Sequence, residues 1–169
     1  MSKKILVLTG SPNREGNSSK MADAFIRGAK AAGHTITKYE TAHKNLRGFT
    51  ASGEPDDFSE LVPLLNSYDV LVIATPLYWF SFPAQIKAVV DQLDSSTDNK
   101  MTIAESYLFV SGGETEDAIY APIISLYHMI REYPGWKDRG VLKIGGADEV
   151  GAIEKSGILE QAEKMGREA

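Results

Sequence analysis

The sequence predicts an α/β protein built on a doubly wound, five-stranded parallel sheet of order 2-1-3-4-5. Three observations point there. β-prone apolar runs recur at residues 5–8, 35–39, 70–73, 107–110 and 141–144. Helical patterns alternate with them, which calls for parallel strands joined by right-handed crossovers. The runs at 5–8, 70–73 and 107–110 are almost free of polar residues, as expected of strands covered on both faces.

The elements follow in order. After the first run comes a small-polar loop, Gly10-Ser11-Pro12-Asn13-Arg14-Glu15-Gly16-Asn17-Ser18-Ser19. It opens an Ala-rich helix over 18–32, with Gly33 as its C-cap. The strand at 35–39 is weaker. A helix over 57–67 sets Phe58, Leu61, Leu64 and Leu65 at helical spacing, with Pro63 disturbing its first turns. A helix over 83–93 aligns Ile86, Val89, Val90 and Leu93 on one face. Residues 115–132 read as a fourth helix, and residues 155–167 as a fifth whose mixed charges suit a solvated face. Without an internal repeat, the 169 residues read as a single domain over 1–169.

Composition narrows the function. The net charge of −5 argues against nucleic acid or an anionic membrane as partner. No apolar run approaches the ~20 residues of a membrane span. A strand begins almost at the first residue, so no leader is visible and a cytoplasmic protein is expected. With no cysteine, thiolate metal sites, iron–sulfur clusters and cysteine nucleophiles are excluded.

In sheets of this order, ligands sit beyond the C-terminal strand ends, at the switch point between strands one and three. The loops after Leu8, Ala74 and Val110 should therefore meet. The first leads into a helix N-terminus, whose unpaired N–H groups and dipole suit a phosphate. Ser11, Asn17, Ser18 and Ser19 add short donors there; an ordinary βα turn with capping residues is the alternative. The loop has neither the Lys-Ser/Thr ending of a nucleotide P-loop nor a G-x-G-x-x-G pattern. The second loop, Thr75-Pro76-Leu77-Tyr78-Trp79-Phe80-Ser81-Phe82-Pro83, crowds four aromatic rings where polar residues belong. That suits a flat aromatic ligand or a protein interface, or else a satellite core under the next helix. The third, Ser111-Gly112-Gly113-Glu114, lets backbone approach a ligand closely, or is a simple turn.

Together these residues resemble the NADPH-dependent FMN reductase and flavodoxin-like NAD(P)H:quinone oxidoreductase families. Gly10-Ser11-Pro12 with Gly16-Asn17-Ser18-Ser19 is similar to their FMN-phosphate loop. The run from Ala74 to Phe80, continuing through Pro83-Ala84-Gln85-Ile86-Lys87 and Asp91-Gln92-Leu93, is similar to their flavin-ring loop and following helix. The resemblance implies a flavodoxin-like fold in which Ser11, Asn13, Asn17, Ser18 and Ser19 hold the phosphate of FMN. It implies that Pro76, Leu77, Tyr78, Trp79 and Phe80 border the isoalloxazine ring. Ser111, Gly112, Gly113 and Glu114 would close its other edge. It further implies a homodimer with the flavin near the subunit interface. Relatives often carry a cysteine-rich insertion after strand two; here the matching region, Leu46 to Glu54, is short, with Phe49 and Ser52 where cysteines are expected.

The activity implied is electron transfer from NADH or NADPH, through FMN, to a quinone, a flavin or another small-molecule acceptor, with no catalytic side chain required. An FMN-binding electron carrier of flavodoxin type, which does not itself oxidise nicotinamide, is the alternative; a fold that has lost its cofactor is the third reading. Replacing Asn17 and Ser18 by Ala is expected to weaken FMN retention and leave the fold intact. His34 is expected at the surface, as is His128 unless it lines the site. Asp56-Asp57 reads as a helix cap before a metal site. The turn Tyr133-Pro134-Gly135-Trp136 suits a hydrophobic plug, a dimer contact or a substrate wall.

Overall fold

The computed structural model describes residues 1–96 and 100–169. Five strands, β1 (Lys4–Thr9), β2 (Thr35–Glu40), β3 (Val70–Pro76), β4 (Glu105–Ser111) and β5 (Lys137–Ile144), form one parallel sheet of order β2-β1-β3-β4-β5. The period of two divides the inner strands between two cores. Leu6, Leu8, Leu71, Ile73, Leu108 and Val110 face α2 (Phe58–Leu65), α3 (Ala84–Ser96) and α4 (Ala121–Glu132). Ile5, Val7, Val70, Val72, Tyr107 and Phe109 face α1 (Asn17–Ala31) and α5 (Ile158–Arg167). There Phe25 of α1 meets Tyr107 and Phe109 edge-on, with ring centroids 5.2 and 5.5 Å away.

Gly33 closes α1 as expected, at φ 86°, with the His34 amide donating to Ala29 O. Three elements differ from expectation. The helix expected over 115–132 begins as loop and a 3₁₀ turn, Asp117–Tyr120, and turns α-helical only at Ala121, because Pro122 suits a first turn and not an interior. The fifth helix starts at Ile158 rather than 155, since Gly157 stands at φ 74°. Its face is not merely solvated: Gly28 and Gly166 let α5 lie directly on α1, and a Cβ at either would come within 1.9 Å of Glu163 O or 2.1 Å of Phe25 O. Strand β5 begins four residues before the expected run, through Lys137, Asp138 and Arg139. An edge strand tolerates such residues, and a bulge opposite Ser106 and Tyr107 skips Arg139.

The N-terminal strand ends hold the peripheral histidine and aromatic features. His34 is half-buried and accepts the Lys3 amide at 3.0 Å. His128 lies 3.6 Å from Asp138, at the start of β5 and so at the sheet end opposite the loops. Trp136 is buried beside them as a plug, while Tyr133 is exposed. Among the described residues, no helix is long and apolar enough to cross a membrane.

Candidate functional site: a groove at the C-terminal strand ends

The three loops meet. The Gly10 amide donates to Ala74 O at 2.9 Å and the Leu77 amide to Ser111 O at 2.8 Å, joining the ends of β1, β3 and β4. Between them runs a groove in two halves. One, of ≈ 290 Å³, is lined by Ser11, Asn13, Asn17 and Ser18. The other, of ≈ 530 Å³, is lined by Trp79, Phe80 and Glu114. Leu77, Tyr78, Gly112, Gly113 and Asp148 line both, so the halves are continuous. Pro76 and Ser111 join the polar half. Of the residues expected to hold the phosphate or border the ring, Ser19 alone lines neither half.

The polar half is built from hydrogen bonds the loop makes with itself. Asn13 O accepts from the Ser11 hydroxyl, the Ser19 hydroxyl and the Gly16 amide, each at 3.0 Å. The Ser11 oxygen takes the Asn13 amide in return. The Asn17 side chain is spent on the protein: its amide group donates to Ala147 O and Glu149 O at 2.9 and 2.8 Å, and its Oδ1 accepts the Gly151 amide. Ser11, Ser19 and Asn17 are thus committed to the protein. Ser18, 1% exposed, makes no side-chain hydrogen bond among the described residues. Helix α1 starts after Gly16 with no side-chain cap, and the amides of Asn17, Ser18 and Ser19 find no acceptor among the described residues. Three convergent N–H groups, one free hydroxyl and the positive end of a helix dipole fit a phosphate group.

The apolar half is a different construction. Tyr78 and Ser81 exchange amide–carbonyl bonds at 3.1 and 3.0 Å, closing a two-residue turn. Its central residues, Trp79 and Phe80, stand at φ 46° and 64°. That is the mirror-image turn geometry usually given to Asn-Gly, and two bulky residues hold it at a cost of ~1 kcal/mol or more each. The turn leaves Trp79 92% exposed and Tyr78 and Phe80 each 47% exposed. Phe82 is the exception among the four rings, 5% exposed in the core beneath α3. The opposite wall is the Gly112-Gly113 loop. Gly112 rests on Tyr120, where a Cβ would lie 2.7 Å from the hydroxyl. That hydroxyl donates to Glu114 O at 2.7 Å and so sets the loop. The apolar half thus sets an aromatic wall opposite the bare backbone of Gly112 and Gly113, a lining that suits a flat ring.

Four lining residues went unread in the sequence: Ile119, ahead of α4, and Ala147, Asp148 and Val150, on the loop after β5. The signal for that loop was Gly145-Gly146, which repeats after strand five the glycine pair that follows strand four. The loop from Leu46 to Glu54 is pinned instead by carboxylates. Asp56 accepts the amides of Arg47 and Phe58, and Asp57 accepts that of Asn45. The two aspartates therefore tether this loop as well as opening α2. Phe49, where relatives were expected to carry a cysteine, is exposed.

The family model described as NADPH-dependent FMN reductase matches residues 3–131. An iron–sulfur flavoprotein of Archaeoglobus fulgidus is 29% identical over 99 residues, which cover 53% of this chain and 45% of that protein. The chain thus spans about half of that relative. A Bacillus subtilis protein, YwqN, described as an NAD(P)H-dependent FMN-containing oxidoreductase, is 23% identical over 161 residues, covering 89% of this chain and 88% of its own. Among solved structures, an NAD(P)H:quinone oxidoreductase from Methanothermobacter marburgensis superposes with a TM-score of 0.82 at 23% identity, over 99% of this chain and 96% of that one. With its five-stranded sheet in the flavodoxin-like order and a family match over most of its length, the chain belongs to the NADPH-dependent FMN reductase family.

Proposed function

We propose that the groove binds one FMN and that the protein passes electrons from NADH or NADPH to a small-molecule acceptor such as a quinone or a flavin. One observation carries the reading: an uncapped, buried helix N-terminus opens directly into a cleft walled by exposed aromatic rings and paired glycines. The amides of Asn17, Ser18 and Ser19 and the Ser18 hydroxyl would hold the phosphate. Ser11, Asn13 and the Asn17 side chain would shape the loop around it. Leu77, Tyr78, Trp79 and Phe80 would border the ring, opposite Gly112, Gly113 and Glu114. When bound, FMN supplies the two-electron chemistry between nicotinamide and acceptor. The protein contributes position and shielding: the amides of Trp79, Phe80 and Gly113 have no acceptor among the described residues and are available to the ring's polar edge. The exposed turn further supports a homodimer in which a second copy covers Trp79, since contiguous apolar surface of this kind is seldom left bare. A single cytoplasmic domain completes the reading.

The test is an absorption spectrum of the purified protein after FMN loading and desalting, followed by nicotinamide addition without oxygen. Retained flavin that NADH or NADPH bleaches far faster than free FMN supports the oxidoreductase. Retained flavin reduced no faster than free FMN makes the protein an electron carrier. A protein that retains no flavin, and whose nicotinamide oxidation added FMN does not raise, contradicts the assignment.

A further inference from the structure

We propose that Tyr120, which lines neither half of the groove, is the positioning residue of its ring end: its buried hydroxyl fastens the loop after β4 to the loop after β5 and so fixes the glycine wall that a flavin ring would meet. This role rests on the FMN reading and deepens it.

Tyr120 is the last residue of the 3₁₀ turn ahead of α4 and is 0% exposed, within the core that α2, α3 and α4 share with the sheet. Its hydroxyl reaches the backbone of both loops. It donates to Glu114 O at 2.7 Å, and Ile144 O lies 3.4 Å away. Both loops lack a side chain where they close on it. A Cβ at Gly112 would lie 2.7 Å from the hydroxyl oxygen, and one at Gly145 3.2 Å from it. Backbone bonds complete the joint. The Gly112 amide donates to Ile144 O at 3.0 Å and the Ala147 amide to Gly112 O at 2.9 Å. The Gly146 amide is shared between Gly113 O and Glu114 O, at 3.1 and 3.2 Å. Two glycine pairs are thus joined edge to edge around one phenol hydroxyl.

Glycine backbone is the most permissive there is, so a wall made of it keeps its shape only if something else holds it. The hydroxyl does so from behind. Burial first, then Glu114, Asp148 and Asp117, push its pKa above the ordinary tyrosine value, so it keeps its proton and stays a donor through the neutral range. Its loss would orphan neither carbonyl, since Ile144 O and Glu114 O each keep an amide partner. A phenyl ring would fill the same place in the core. The hydroxyl therefore matters less to the fold than to the wall. Gly112, Gly113 and Glu114 line the ring end, and the Gly113 amide has no acceptor among the described residues. Donors already held in place meet charge on a ring without reorganising first, which favours the ring's electron-rich, reduced form.

The experiment compares the full-length natural protein with Tyr120→Phe. It reads the melting temperature of the apoprotein, the affinities for oxidised FMN and riboflavin, and the midpoint potential of bound FMN. The variant should melt within about 4 °C of the natural protein, as expected for one hydrogen bond of about 1 kcal/mol. It should bind FMN and riboflavin each about fivefold more weakly, with the ratio between them unchanged, because the phosphate end is untouched. Reduced FMN should lose a further fivefold or so, which lowers the potential by about 20 mV at about 30 mV per tenfold for a two-electron couple. A tyrosine that only packed the core would leave the potential where it was. Gly112→Ala presses on the same hydroxyl from the wall side. It should lower the potential too, and serves if Tyr120→Phe does not fold. In the double variant part of that loss should be recovered, because the atom pressed upon is gone. Affinities and potential unmoved by Tyr120→Phe, or a changed ratio of FMN to riboflavin, would overturn the role and leave the FMN reading standing. A natural protein that binds neither flavin would contradict the FMN reading itself, and the role with it.

Discussion

The two ends of the groove solve opposite problems. The phosphate end is buried and over-determined: one carbonyl, Asn13 O, takes three donors, and Asn17 staples helix α1 to the loop after β5. The ring end is exposed and strained, with two large residues at positive φ in a two-residue turn. The first arrangement stabilises the fold and leaves N–H groups open as a by-product of an uncapped helix. The second costs stability and has no return within the chain. Strain held in bulky exposed residues points to a ligand or a partner.

The largest expected effect breaks the polar end. Asn17→Ala removes three hydrogen bonds from a buried site and should lower unfolding free energy by about 2–3 kcal/mol in denaturant titrations. The sequence suggested that Ala at 17 and 18 would spare the fold; burial and these bonds reverse that expectation for Asn17. The next effect has the opposite sign. Replacing Trp79-Phe80 by Asn-Gly should raise stability by about 1 kcal/mol, because those residues accept the turn geometry, while FMN binds more weakly. A fall in stability would show that the turn is not strained. Ser18→Ala sharpens the comparison further. It should weaken FMN by about fivefold to tenfold, the value of one hydrogen bond, and leave the melting temperature almost unchanged.

The smallest effect lies outside both ends. The Asp56 carboxyl is partly buried, which favours its neutral form. The amides of Arg47, Phe58 and Gly48 and the Gln92 side chain outweigh that and hold its pKa below the usual carboxylate range. A depressed folded-state value stabilises the protein above the unfolded value of about 4 and loses that contribution as pH falls through the folded one. Between pH 6 and pH 3 the natural protein should therefore lose more melting temperature than Asp56→Asn.

The sheet was legible because its inner strands are apolar without interruption, so the order and the meeting of the three loops followed from general rules. The edge strand β5 was read short because one exposed face permits Lys137, Asp138 and Arg139. The aromatic loop was legible as a site, yet its division was not: Phe82 goes inward and Trp79 outward because of a reversal at Tyr78–Ser81 that no turn residue announces. The serines misled in another way. Composition placed four short donors at the phosphate, but in the fold Ser11, Ser19 and Asn17 spend theirs on the protein. Asp148 was invisible as a lining residue because its place depends on a missing side chain thirty-five positions earlier, at Gly113.

The central claim is that one end of the groove holds a phosphate and the other a flat ring. Comparing the affinities of FMN and riboflavin for the apoprotein tests it most directly. The two ligands share the ring and differ only in the phosphate. The account predicts that riboflavin binds at least about a hundredfold more weakly, as expected for losing several charge-assisted hydrogen bonds. It also predicts that Ser18→Ala narrows the gap. Equal affinities for FMN and riboflavin would contradict it.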